Sequence, residues 1–339
     1  MKFIIFLIVA FFALFAVTFT SKLLSSIKVR DTINGKTTYS FRSITPSKLV
    51  SSCFWGIVGA VAIVYCCSLI IPLAWSLMTA LKTPVDYILN SFGFPKVEKY
   101  GLAPENFINV LQRFKLRQGT RIYGLADMLI NSMLYAVVPS LSNVFWMTVV
   151  AYVMARYKFW GNKALYNLGL IVMLVPIVGN MASSMIIKKA LHLYDNMYVS
   201  ILIPPSTAFS GMHFLILYGA MKVVPFAYSE AAEIDGAGRY SIMFKIIIPM
   251  VIPTCATLFI LEFIANWNAY ENFLIWFPST PNIAYGMYSF QSAASQGSGA
   301  ATVPEILAGF IMCMIPSAIL YLSSQKLIQS KFTVGGLKG

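Results

Sequence analysis

The sequence predicts an all-α integral membrane protein with seven spans. Three observations carry this: a composition too apolar and too poor in charge for a soluble globule, seven uncharged runs each long enough to cross a bilayer, and lysine and arginine divided unevenly between the loops.

The composition is decisive on class. Of 339 residues, 58% are apolar and 11% are charged, and the mean hydropathy is +0.73. Soluble domains carry about 25% charged residues, so this chain lacks the charge to solvate a globule of its size. Lysine and arginine number 25 against 12 acidic residues, a net charge of +13. A nucleic-acid-binding domain would gather such basic residues on one face. Here they are scattered between long uncharged runs, which excludes a soluble nucleic-acid binder and makes the imbalance a topology signal.

A helix needs about 20 apolar residues to cross the hydrocarbon core. The runs are residues 3–20, 49–81, 128–155, 164–187, 196–221, 246–270 (interrupted only by Glu262) and 306–325. A further uncharged stretch, 272–304, contains Pro278, Pro281 and a Gly-Ser-rich segment around Gly297. Its composition favours a loop or a re-entrant segment over a straight helix. The first run is read as an extra span rather than a signal peptide. It begins with a single Lys2, lacks a small-x-small cleavage site, and is followed by basic residues.

Orientation follows from the loops. With residues 21–51 in the cytoplasm, 156–163, 222–245 and 326–339 lie there too. Together they hold 15 Lys and Arg and four acids, Asp31, Glu230, Glu233 and Asp235. The opposite side carries 10 basic residues and seven acids, and Glu262 sits in a span. The excess of positive charge marks the cytoplasmic face, placing the C-terminus inside and the N-terminus outside. Trp55, Trp75, Trp160 and Trp276 fall near span ends, where amphipathic rings prefer to sit.

Little points to chemistry. The cysteines, Cys53, Cys66, Cys67, Cys255 and Cys313, all lie in apolar runs without a zinc-type spacing. His192 and His213 have no carboxylate or thiol cluster beside them in sequence, so no metal site and no catalytic residue is expected. There is no Gly-x-x-x-x-Gly-Lys-Ser/Thr phosphate loop, so no cofactor and no ATP site are expected in this chain. Intramembrane charge amounts to Glu262, whereas ion-driven carriers embed coupling-ion ligands near the midplane. The energy source is therefore expected outside the chain. The alternatives, an ion-coupled secondary carrier of small polar solutes or a membrane scaffold or channel, lack a supporting motif.

The informative segment is the cytoplasmic loop 223–249. Pro225 suits a helix start, Glu230, Ala231, Ala232 and Glu233 are helix formers or tolerated in a first turn, and Gly236 and Gly238 permit a sharp turn. Beyond it, Arg239 to Ile248 leads into the next span. From the residues alone this is a short amphipathic connector on the membrane surface.

Glu230-Ala231-Ala232, three residues, Gly236, nine residues and Ile246-x-Ile248-Pro249 resemble the Glu-Ala-Ala loop of ABC importer permeases, Ile248 standing where leucine is commoner. Asp235-Gly236-Ala237 is the form of the carbohydrate-importing class. Asn131-Ser132 at a span start, Ala151-Tyr152 and Ala155-Arg156-Tyr157-Lys158-Phe159 at its end, Pro176, Trp267-Asn268 and the Gly335-Gly336-Leu337 ending extend the likeness. The chain is similar to the maltose-type second permease subunit over residues 45–339, with 1–44 outside that pattern.

The resemblance implies a type I permease core of six transmembrane helices plus one extra N-terminal helix, in a bacterial plasma membrane. It implies a second permease subunit, two ABC ATPase subunits, an extracytoplasmic solute-binding protein and a sugar substrate. Glu230, Ala231, Ala232, Asp235 and Gly236 would couple to the ATPase. Glu262, Asn266 and Tyr270, spaced i, i+4, i+8 on one helix face, with Trp267 and Asn268 beside them, are candidates for the substrate path; packing between helices is the competing role for them. Loops 82–127 and 272–304 are the candidate contacts for the binding protein.

Overall fold

The computed structural model describes residues 14–21, 28–33, 36–41, 46–174, 180–203, 208–295 and 301–332. Residues 14–21 are helical (α1). The antiparallel strands β1 (Lys28–Ile33) and β2 (Lys36–Phe41) follow, in a stretch the sequence offers only as a basic linker. Then come α2 (Pro46–Ala80), α3 (Pro84–Leu89), α4 (Val97–Tyr100), α5 (Glu105–Arg113), the hairpin β3 (Leu116–Gln118) and β4 (Arg121–Tyr123), and α6 (Leu125–Arg156). The remainder is α7 (Asn162–Leu174), α8 (Asn180–Ala190), α9 (Met197–Ser200), α10 (Met212–Val223), α11 (Ala227–Ile234), α12 (Arg239–Ser241), a π-helical turn Ile242–Ile247, α13 (Ile248–Trp267), α14 (Tyr270–Trp276), α15 (Ile283–Ser295) and α16 (Val303–Phe332).

Among the described residues, four helices are long and apolar enough to cross a membrane: Val50–Ala80, Leu125–Arg156, Arg239–Trp267 and Val303–Gln325. They correspond to four of the seven predicted runs. Two others are each divided between two described helices. The run 164–187 is shared between α7 and α8, with Pro176 in the undescribed gap. The run 196–221 contains the one-turn α9 and the shorter apolar α10, with Pro204 and Pro205 undescribed. Most of run 3–20, the Gly297 segment and the Gly335–Gly339 ending lie outside the described residues. Stretch 272–304 is neither an open loop nor one straight helix: α14 and α15 occupy most of it, with Pro278 and Pro281 in the turn between them.

The chain divides into two compact units, Met1–Thr79 with Asn90–Pro95, and Ala80–Leu89 with Lys96–Gly339. In the first, Thr18 of α1 donates to the Gly56 carbonyl of α2 at 2.9 Å, and Trp75 donates to the Ser91 carbonyl at 3.0 Å and stacks on Phe92.

The second unit is built around α6, which packs against α13, α10 and α15, while α13 and α5 pack on α16. One core cluster joins Met147, Ala151 and Tyr152 of α6 to Phe214, Leu217 and Met221 of α10 and Leu258 of α13. A second joins Met128, Phe263, Trp267, Met287 and Ala308. Polar side chains fasten the ends. Asn131 of α6 donates to the Pro281 carbonyl at 2.9 Å and Ser132 accepts from the Ile283 amide at 2.8 Å, so the Asn-Ser pair near the start of α6 anchors α15. Segment 82–127, a candidate loop, is itself folded: buried Asn106 donates to the carbonyls of Ala80 and Lys82, and Arg113 pairs with Glu305 at 3.3 Å. Burial pushes the Lys82 ammonium below its ordinary range, with the nearby Asp86 carboxylate acting the other way.

Candidate functional site

The loop 223–249 folds as the short helix α11, a tight turn, and the continuous rise of α12, the π turn and α13. Pro225 lies two residues before the first helical residue, Ala227, and not in the first turn. The helix ends in a double hydrogen-bonded cap. The Ala237 amide donates to the Ala232 carbonyl at 2.9 Å, and the Gly236 amide to the Glu233 carbonyl at 3.0 Å. That geometry requires a left-handed residue after the helix, and Gly236 supplies it at φ +79°.

α11 has two faces. Ala232 is buried and packs into the core of α6, α10 and α13. Glu230, Ala231, Glu233, Asp235 and Gly236 are exposed. Around these acids stand exposed apolar side chains: Val223, Phe226, Tyr228, Ile234 at 87% exposure and Tyr240 at 82%. An acidic cluster ringed by bare apolar groups is an unusual solvent face and a usual interaction face.

Arg156, the last residue of α6, holds this helix to the span. Its Nη2 donates to the Val224 carbonyl at 2.7 Å, and its guanidinium lies 4.6 Å from the Phe226 ring centre. Arg239 stands 5.9 Å from the Tyr157 ring on the other side of the turn. The sequence names Arg156 only as part of a motif; its role needs the fold, because its hydrogen-bond partner Val224 is 68 residues away.

Beyond the turn, the π-helical stretch places the Ile248 amide on the Met243 carbonyl. Pro249 follows directly, and without an N–H it cannot close the α-helical bond to Lys245; the wider turn accommodates this.

α13 then carries the second group of candidate residues. Glu262 is not alone. Its Oε1 lies 2.7 Å from His213 Nδ1 of α10, and its Oε2 accepts from Asn143 of α6 at 3.2 Å. His213 has a carboxylate beside it after all, brought from 49 residues away. Asn266 donates to the Ser140 hydroxyl of α6 at 3.0 Å. Trp267 turns the other way: it is 2% exposed, stacks on Phe263, and donates to the Cys313 carbonyl at 3.1 Å. Asn268 is exposed and bonds back to Ile264. Because α13 ends at Trp267, Tyr270 does not continue its face; it opens α14 and stacks on Tyr288 at 4.9 Å. Thus Glu262 and Asn266 meet on the α6 side of α13, while Trp267, Asn268 and Tyr270 each go elsewhere. Among the described residues no group of three His, Cys, Asp or Glu side chains is placed to hold a metal ion.

Residues 147–334, which span α11, the π turn and the polar face of α13, match the family described as binding-protein-dependent transport system inner membrane component. The chain belongs to this family. Curated relatives include the sulfoquinovosyl glycerol transport system permease protein SmoH of Agrobacterium fabrum, 28% identical over 269 residues, or 79% of this chain and 88% of that one. The melibiose/raffinose/stachyose import permease protein MelC of Bacillus subtilis is 26% identical over 283 residues, covering 84% and 96%. The maltodextrin transport system permease protein MdxG of Bacillus subtilis is 29% identical over 217 residues, covering 62% and 74%. A bacterial ABC transporter involved in the import of the acidic polysaccharide alginate matches the fold with a TM-score of 0.65, over 84% of this chain and 99% of its own, at 18% identity. The chain therefore has the type I importer permease fold and is a membrane transport component, not an enzyme.

Proposed function

We propose that this chain is one of two permease subunits of an ATP-driven importer in a bacterial plasma membrane, forming with the second the pathway for a sugar or oligosaccharide. An extracytoplasmic binding protein delivers the solute, and two ABC ATPase subunits dock on the cytoplasmic face, where the C-terminus lies. Residues 45–339 form the permease domain, and 1–44 add the extra N-terminal helix and basic linker. The solutes in the relatives' names, oligosaccharides and a glycosyl glycerol, support the solute class.

The observation that carries the reading is α11. It is fixed to α6 through Arg156 and Val224, continuous through a tight turn with α13, and bare on the face bearing Glu230, Ala231, Asp235 and Gly236. A short helix held in this way acts as a rigid handle: a displacement applied to its exposed face is passed to both spans without being absorbed in a loop. Ala231 allows close approach of a partner groove, Ala232 seats the helix on the core, and Gly236 sets the turn. Glu262, bonded to α6 and α10, and Asn266, bonded to α6, would offer their hydrogen-bonding groups to a hydroxylated solute when those helices rearrange.

The test is purification of the complex and assay of its ATPase. Stimulation by loaded binding protein in the parent, and its loss with intact subunit stoichiometry in a bulky Ala231 variant, is the expected result. Transport that proceeds without any copurifying ATPase would overturn the proposal.

A further inference from the structure

Where α6 leaves the membrane, a cleft of about 1280 Å³ opens between its last turn, the beginning of α7 and the end of α10. Tyr157, Lys158, Trp160 and Lys163 line one side, and Tyr218 and Lys222 the other. No aspartate or glutamate lines it, and none of the three lysines pairs with a carboxylate among the described residues. The walls are braced. Asn162 donates to the carbonyls of both Met154 and Tyr157, at 3.0 and 2.8 Å, and Gly161 takes φ +91° to make the turn. Tyr166 of α7 meets Tyr218 of α10 with ring centres 5.0 Å apart, and Lys222 lies 4.6 Å from the Tyr218 ring. Trp160, at the rim, is fully exposed.

This combination suits a membrane boundary better than a surface facing only water. A bare indole at a span end belongs at the headgroup level of a bilayer, and three lysines contributed by both sides of one cleft, with no carboxylate among its lining residues, make a cationic concavity that favours an anion. Basic pockets between transmembrane helices take anionic lipid headgroups. We propose that this cleft binds an anionic phospholipid, the headgroup phosphate meeting Lys158, Lys163 and Lys222 while Trp160 and the tyrosines cover the glycerol and the upper acyl chains. The proposal needs only that the chain is embedded in a membrane and does not depend on ATPase coupling or on the identity of the solute.

Native mass spectrometry of the full chain in detergent, titrated with phosphatidylglycerol or phosphatidylcholine, tests it. The parent should retain phosphatidylglycerol in preference to phosphatidylcholine. Lys158→Gln, Lys163→Gln and Lys222→Gln together should weaken phosphatidylglycerol retention at least about tenfold, given that each lysine near an anionic surface contributes measurably, with phosphatidylcholine unchanged. The corresponding triple arginine variant should restore retention, which separates loss of charge from loss of fold. Equal retention of the two lipids by the parent, undiminished phosphatidylglycerol retention in the triple glutamine variant, or complete displacement of the lipid by millimolar inorganic phosphate would overturn the proposal.

Discussion

Gly236 closes the turn after α11 at φ +79°, and a Cβ added there would meet nothing within 4 Å, so a substitution there is limited by backbone conformation alone. An L-residue in the left-handed region costs about 1–2 kcal/mol, enough to loosen the cap that Ala237 and Gly236 make on α11. Gly236→Ala should therefore lower substrate-stimulated ATPase activity in reconstituted complex while the yield of assembled complex stays near that of the parent; Gly236→Asn, which tolerates this conformation better, should fall between. The Glu262 cluster makes a different prediction. Its carboxylate satisfies His213 and Asn143 within the spans, and hydrogen bonds between membrane helices contribute about 0.6–2 kcal/mol each. Thermal unfolding in detergent should show Glu262→Ala clearly destabilised, and Glu262→Gln, which keeps an acceptor for one partner, closer to the parent. Equal unfolding temperatures for the two variants would count against a packing role for the carboxylate.

At the level of elements, helix approach is set by a few glycines. A Cβ on Gly169 of α7 would stand 2.6 Å from the Phe209 carbonyl oxygen, and backbone cannot move aside as a side-chain tip can. Gly169→Ala should destabilise the protein by about 1–3 kcal/mol, the usual cost of overpacking. Gly219 of α10 meets nothing within 4 Å, so Gly219→Ala should be neutral or stabilising by up to about 1 kcal/mol from helix propensity. Unfolding of the two single variants side by side checks both. The elements also show what a sequence makes legible. Long spans such as α2, α6 and α16 are written in composition, because the bilayer demands apolar length and nothing else. The turn after α11 is equally readable, since glycine is the residue that takes a left-handed position at least cost. The contacts that define the candidate site were not. Arg156 meets Val224, and Glu262 meets His213, through packing of helices distant in the chain, and no local pattern encodes which side chains will face each other. Likewise stretch 272–304 reads as a loop or re-entrant segment by its prolines and its Gly-Ser segment, yet α15 within it is helical, its start captured by Asn131 and Ser132 and its Met287 packed with residues of α6 and α16.

For the whole molecule, the question is what residues 1–44 add. MelC covers 96% of its own length while matching 84% of this chain, so part of this chain has no counterpart there. Within the first compact unit, α1 touches α2 through Thr18 and Phe19 against Gly56 and through Thr18 against Gly59. Removing α1 would leave that face of α2 to lipid tails, which are as apolar as the side chains they replace. The Gly56 carbonyl that accepts from Thr18 lies within the helix, so no backbone group is stranded. A chain beginning at residue 45, supplied with a new initiator, should therefore still insert, assemble and support most of the transport seen with the full chain, measured as uptake of labelled solute in cells lacking the native gene. If uptake disappears while the complex still assembles, the first helix and its basic linker belong to the transport machinery, and the boundary between extension and permease domain has to move toward the N-terminus.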